Sequence, residues 1–357
     1  MSRVILHVGM HKTGSSSIQA SLHAARDALA ARRIIYAPLG KNHSVPIFNA
    51  FNDGDAYHRW HRRRGIAEDG TADDVVRGAR MLLREHFRSN PGKDFVISGE
   101  GIPGLSEQST KRLLRFLDLH FARVEVVFFV RPPASFIHSQ AQQQIKAGWT
   151  LERLTAARFR IPYRQFEKYF DLLPPDAISA RVFSRSTLVE GCVVKTFCSL
   201  AALPEVPVRR ANEGLSRLSA DLLLVANEVL PATLPDGRRN PERSPRLSQL
   251  RLPGPKFYAP RETVLRGLES SRDQIEWISA VLGANIEEYD DGLTVQDYHP
   301  GTIDPDAMSE LKDRVLHENG RLLRDAADNP GRRGGGGQRR RGAATAAATA
   351  TAPDPPR

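Results

Sequence analysis

Five short apolar runs recur in the first half of the chain, at 3–8 (RVILHV), 33–37 (RIIYA), 94–98 (DFVIS), 124–130 (VEVVFFV) and 178–183 (ISARVF). They are continuous rather than alternating, which suits strands covered on both faces. Helical patterns separate them, at 15–31, 71–88, 106–120, 133–147 and 162–172. This βαβα alternation predicts an α/β fold: three layers, α/β/α, around a central, mostly parallel sheet of about five strands. In helix 71–88 the apolar stripe is read as Val75, Val76, Ala79, Leu82, Leu83, His86 and Phe87, with arginines opposite. After the fifth run come helical patterns at 190–201, 215–230, 262–281 and 305–327 with no strand between them, so the C-terminal half is expected to be helical.

The chain has 357 residues, and 40% of them are hydrophobic, enough for a sizeable core. No apolar run approaches the roughly 18 residues of a membrane span, and the N-terminus is too short and polar for a secretory leader, so a cytoplasmic protein with no membrane span is expected. The net charge of +10 invites a nucleic-acid reading, but half of it belongs to residues 330–357, which hold six arginines and one aspartate. That Gly/Pro-rich tail has no Val, Leu, Ile or Phe and is read as disordered, leaving one domain over 1–329 and no specific nucleic-acid partner. Residues 231–260 contain seven prolines and are expected to form an irregular loop, either a solvated insertion or a lid over a site. Cys192 and Cys198 are the only cysteines, and no Cys/His spacing suits a metal.

The strongest motif follows the first strand: Val8-Gly9-Met10-His11-Lys12-Thr13-Gly14-Ser15-Ser16-Ser17. A Gly/Ser-rich turn opening a helix aims backbone N–H groups and the positive helix end at an anion. The spacing of Gly9 and Gly14 matches half of a nucleotide-triphosphatase loop, but Ser15-Ser16 stand where Lys-Ser/Thr is required, and Lys12 lies inside the turn. The fourth strand ends in Val130-Arg131 rather than in a magnesium-binding Asp. No G-x-G-x-x-G follows a strand, which disfavours a dinucleotide site.

The residues His11 to Ser17 resemble the 5′-phosphosulfate loop of sulfotransferases, whose donor is 3′-phosphoadenosine 5′-phosphosulfate (PAPS). Arg131-Pro132-Pro133-Ala134-Ser135-Phe136-Ile137-His138-Ser139 is similar to the same family's 3′-phosphate motif, an Arg followed by a Ser eight residues on. Gln140 to Lys146 and Asn212-Glu213-Gly214-Leu215-Ser216 also resemble bacterial members. The resemblance covers roughly residues 3–230 and implies that His11, Lys12, Thr13, Gly14, Ser15, Ser16, Ser17, Arg131 and Ser139 bind the donor. The family's glycine-rich 3′-phosphate element has no counterpart here; Lys41, Arg209, Arg210 and the loop 231–260 are the alternatives for completing that site.

Sulfuryl transfer needs an in-line nucleophile, a base and a cation on the leaving phosphate. Lys12 is assigned to the leaving oxygen, a role worth about 3–4 kcal/mol, with no metal. Glu100, just after the third strand, leads as the base, provided burial raises a pKa that starts near ~4.3. His43, after the second strand, is the rival, with an unperturbed value of about 6.5; a residue elsewhere is the third alternative. His11 is read as orienting the loop. The aromatic and basic cluster at 57–64 (YHRWHRRR) is either an acceptor platform for a saccharide or a solvated helix face. Two other readings stay open: a small-molecule kinase with a divergent loop, and a non-catalytic nucleotide- or glycan-binding protein.

Overall fold

The computed structural model describes residues 2–52, 71–209, 214–290 and 292–328. Its sheet is β1 (Arg3–Val8), β2 (Ile34–Tyr36), β3 (Asp94–Gly99), β4 (Arg123–Val130) and β5 (Ile178–Val182). The order is β2-β3-β1-β4-β5 and all the pairings are parallel. Val8 stands opposite Gly99 of β3, and His7 opposite Val127 of β4. Arg3 fixes the start of this register: its guanidinium meets Asp94 at 3.0 Å and Glu125 at 2.7 Å, joining the three central strands.

The helices are α1 (Ser15–Ala24), α2 (Arg26–Ala31), α3 (Ser44–Phe51), α4 (Thr71–Arg88), α5 (Glu107–Asp118), α6 (Pro133–Lys146), α7 (Leu151–Thr155), α8 (Glu167–Leu172), α9 (Val193–Leu200), α10 (Arg217–Val229), α11 (Arg261–Glu269), α12 (Arg272–Leu282) and α13 (Pro305–Asp328). Alternate strand residues feed two cores, as the period of two requires. Ile5, Val96, Val127 and Phe129 pack with Ile18 and Leu22 of α1 and Val194 and Phe197 of α9. Val4, Leu6, Ile97, Phe128 and Val130 face the other way, toward α3, α5, α6, α8 and the C-terminal helices. The three layers follow from this two-sided burial.

Several expected elements differ in detail. The pattern at 15–31 breaks at Ala25 into α1 and α2, and that at 262–281 breaks at Ser270-Ser271 into α11 and α12. There the Ser270 hydroxyl donates to Phe159 O, and the Ser271 hydroxyl accepts from Ile161 N–H, so the break is spent on holding the 159–161 segment. In α4 the buried stripe runs through Leu83 and Phe87, while Leu82 is exposed; Arg80 lies on the inner side, its guanidinium 5.4 Å from the centre of the Phe51 ring. Residues 231–260 are irregular except for a 3-10 turn at Pro245–Gln249, but they are not a solvated insertion. Arg243 is buried there and caps the end of α10, donating to Ala226 O, Leu230 O and Asn227 Oδ1 at 2.6–3.1 Å. Leu247 and Phe257 of the same segment join the core. The tail at 330–357 and the cluster at 57–64 lie outside the described residues. Among the described residues no helix is long and apolar enough to cross a membrane.

Candidate anion site at the carboxyl edge of the sheet

The chain leaves β1 toward α1 on one face of the sheet and leaves β4 toward α6 on the other. Loops that diverge from neighbouring parallel strands open a crevice at their carboxyl ends. A cavity of about 520 Å³ lies there, lined from one side by His11, Lys12, Gly14 and Ser15 to Ser17, and from the other by Arg131 and α6.

The loop geometry depends on its glycines. A Cβ on Gly9 would fall 2.3 Å from Ser15 Oγ and 3.0 Å from Ser15 Cβ, so glycine gives the start of α1 room to approach the loop. Gly14, at φ +76°, stands in the left-handed region that favours glycine, and a Cβ there would meet Val193 Cγ1 at 2.8 Å. Lys12 also has a positive φ, 68°, an uncommon state for a residue with a side chain. Thr13 Oγ1 and Ser15 Oγ donate to Met10 O at 2.8 and 3.3 Å, which holds the turn closed. Thr13 is therefore buried and turned away from the cavity, a structural residue rather than the anion ligand expected of it. Among the described residues the N-cap position of α1, Gly14, makes no side-chain cap bond and its first turn carries no acidic residue, so the positive end of the helix dipole is directed at the cavity that Gly14 to Ser17 line.

Arg131 joins the two sides. Its Nη1 donates to the carbonyl of Lys12, its Nε donates to Ser135 Oγ at 2.9 Å, and its guanidinium lies 5.6 Å from the centre of the Phe183 ring. The start of α6 is capped from a distance: Asp290 accepts from the N–H groups of Ala134 and Ser135, both at 2.8 Å. Ser135, Ser139, Gln142 and Lys146 follow at helical spacing along α6, and all four line the cavity. Burial, with Arg251 and Lys12 nearby, lowers the Lys146 ammonium to about 8. Burial likewise pulls Lys12 down, while the Glu100 carboxylate opposes the shift.

Of the alternatives for a further cation, Lys41 and Arg209 do not line the cavity, and Arg210 lies outside the described residues together with Asn212 and Glu213. The Pro-rich segment does reach it, through Lys256 and Tyr258, whose ammonium and ring centre are 4.9 Å apart. Lys256 and Tyr258 belong to the loop 231–260 offered for completing the site and Lys146 to the segment Gln140 to Lys146, though none was singled out, and Asp290 had no sequence signal of its own. The run of polar side chains at helical spacing in α6, where a core-facing helix would carry apolar ones, was the available clue.

The two bases expected from sequence fare differently. His43 is buried; its Nδ1 accepts from Ser98 N–H and its Nε2 lies 3.0 Å from Gly40 O, so the ring is neutral with its proton on Nε2. Both nitrogens are used, the ring lies away from the cavity, and burial lowers its pKa to about 4. His43 is thus held in the scaffold, outside the cavity. Glu100 does line the cavity, but its pKa is lowered, chiefly by its interaction with His11, against the opposing effect of burial; it is not raised as a general base on its own would need. His11 faces that carboxylate rather than bracing the loop, with Nδ1 3.8 Å from Glu100 Oε2.

His138 also lines the cavity. Its Nδ1 accepts from Ala259 N–H at 3.0 Å, which leaves the proton on Nε2, and among the described residues that buried Nε2 has no partner. Burial holds His7, His43 and His138 at about 3, 4 and 3. A base whose pKa is lower folded than unfolded binds protons preferentially when unfolded. Its stabilisation is complete above ~6.5 and is lost as pH falls toward the folded value. Each of the three is expected to cost roughly 1–2 kcal/mol between pH 7 and pH 5. Urea unfolding at the two pH values checks this; equal midpoints would show that these rings titrate normally.

The all-parallel, doubly covered sheet defines an α/β protein, and a crevice lined by cations lies at the ends of β1 and β4. No protein-family model matches the chain. Among solved structures it is similar to the sulfotransferase domain from the curacin biosynthetic pathway, with 12% identity and a TM-score of 0.32 over 80% of this chain and 98% of that one. Among curated proteins it is 30% identical over 145 residues to the 3-phosphoshikimate 1-carboxyvinyltransferase of Pelobacter propionicus, a match of 36% of this chain and 33% of that protein. The chain thus spans about a third of the length of that curated relative.

Proposed function

We propose that the chain is a sulfotransferase that moves a sulfuryl group from PAPS to a hydroxyl or amine acceptor, with a saccharide the favoured class. The observation that carries this reading is the meeting of the two motifs. Lys12 from the end of β1 and Arg131 from the end of β4 share one cavity, linked by the bond from Arg131 Nη1 to Lys12 O. The cavity chemistry suits a ligand with anions at two ends. Lys12, Gly14 and the serines 15 to 17 line the cavity from the β1 loop, and Arg131, Ser139, Lys146 and Lys256 line it from α6 and the Pro-rich segment. An arginine offers planar paired donors to a phosphate, and Lys12 offers a point charge to an oxygen on which charge develops during transfer.

Adenosine 3′,5′-bisphosphate, the product of such a transfer, is the direct probe. At a hundredfold excess over its Kd it is expected to stabilise the protein by about 2.7 kcal/mol without Mg²⁺, a rise of several degrees in Tm. A response to Mg-ATP alone would favour a kinase and sink the PAPS reading. Binding of the bisphosphate with no transfer to any acceptor in a broad panel would point to a non-catalytic nucleotide-binding protein.

A further inference from the structure

β1 and β3 are adjacent and parallel, with Val8 opposite Gly99, so the segments that leave them start side by side at the carboxyl edge. His11 and Glu100 stand on those two segments and both line the cavity beside Lys12. Their side chains are 54% and 37% exposed, so a second reactant can reach the pair. His11 Nδ1 and Glu100 Oε2 lie 3.8 Å apart, longer than a hydrogen bond, and catalytic contacts of this kind are often long before substrate binds. A carboxylate weakened as a base by its neighbour is suited to orienting that neighbour and stabilising its cation, the part an acid plays beside a histidine in hydrolytic triads. His43, the other imidazole considered for the role, has both ring nitrogens engaged away from the cavity.

We infer that His11 is the general base of the transfer and that Glu100 is its positioning residue. This rests on the sulfotransferase reading and adds to it the residue that takes the proton. With Nδ1–H turned to Glu100, Nε2 is the nitrogen left for the acceptor. The acceptor oxygen or nitrogen forms a bond to the sulfur of the donor. The bond from sulfur to the bridging oxygen breaks, and its electron pair stays on the 5′-phosphate, beside Lys12. The acceptor's proton passes to His11 Nε2, and the imidazolium, held by the Glu100 carboxylate, later releases it to solvent.

The test measures transfer from PAPS in wild type, His11→Ala, Glu100→Gln and the double variant, with adenosine 3′,5′-bisphosphate affinity determined calorimetrically for each. His11→Ala is expected to lower kcat by about 10²–10⁴ with donor affinity within threefold. Free imidazole should restore part of that loss when Glu100 is present and less in the double variant, a rescue that a merely structural role would not show. Glu100→Gln is expected to lower kcat by a smaller factor with KM nearly unchanged. The assignment is overturned if His11→Ala keeps kcat within threefold of wild type. It is also overturned if Glu100→Gln costs as much as His11→Ala and imidazole rescues neither, since Glu100 would then be the base. Failure of the wild type to bind the bisphosphate removes the donor reading itself; binding and turnover that are indifferent to His11 remove only the base.

Discussion

Alanine in place of Lys12 is expected to lower the rate of sulfuryl transfer by about 10²–10³, the usual cost of deleting one preorganised donor to a developing charge. The backbone should tolerate the change. Lys12 already adopts φ 68°, a conformation no easier for lysine than for alanine, and its structural contact, the carbonyl that accepts from Arg131, survives the substitution. Donor binding should therefore weaken far less than turnover. Single-turnover kinetics with PAPS, paired with calorimetry on the bisphosphate, separates the two quantities. A Lys12→Ala variant that turns over within twofold of wild type would show that the ammonium does not meet the leaving oxygen.

The second large effect belongs to Arg131. Its loss removes paired donors from the donor site and also leaves the carbonyl of Lys12 and the hydroxyl of Ser135 without their guanidinium contacts. Truncating one partner of a buried charged contact costs about 2–5 kcal/mol, so affinity for the bisphosphate is expected to fall at least ~30-fold in Arg131→Ala. An orphaned backbone acceptor adds about 1–3 kcal/mol of instability in the loop. Arg131→Lys should recover little, because a point charge cannot serve the Lys12 carbonyl, Ser135 and a phosphate at once. The check is calorimetry on both variants together with their melting temperatures. Bisphosphate binding by Arg131→Ala within threefold of wild type would place the arginine in the scaffold alone.

The sheet was legible because its strands are buried on both faces, which leaves runs such as Val126 to Val130 with no polar interruption beyond Glu125 at the entry. The two phosphate-type motifs were legible because they sit at strand ends, where spacing alone brings them together. α3 was missed: its eight residues carry Pro46 near the start, a place in the first turn where proline is tolerated but reads as a break. The basicity of a side chain was the least legible property. His43 has the solution pKa of a base, yet two hydrogen bonds and burial commit it to the scaffold, and Glu100 needed burial to raise its pKa where His11 lowers it. Composition marked 231–260 as irregular and left open that it reaches a site, as Lys256 does, but Arg243 turning inward on the end of α10 is a long-range contact that no local pattern encodes.

The remote cap on α6 gives the crevice a direction. Asp290 neutralises the positive end of α6 from within the protein, whereas among the described residues the N-cap position of α1, Gly14, makes no side-chain cap bond. Two helices thus meet the same cavity with unlike electrostatic ends, one already satisfied and one open to an incoming anion. A ligand with two anionic groups does not experience these ends as equivalent. The group seated at α1 draws on a helix dipole, and the group seated near α6 must rely on side-chain cations such as Arg131 and Lys256. Reversing the ligand end for end exchanges these unlike partners, so the cavity distinguishes head from tail before any base-specific contact is made.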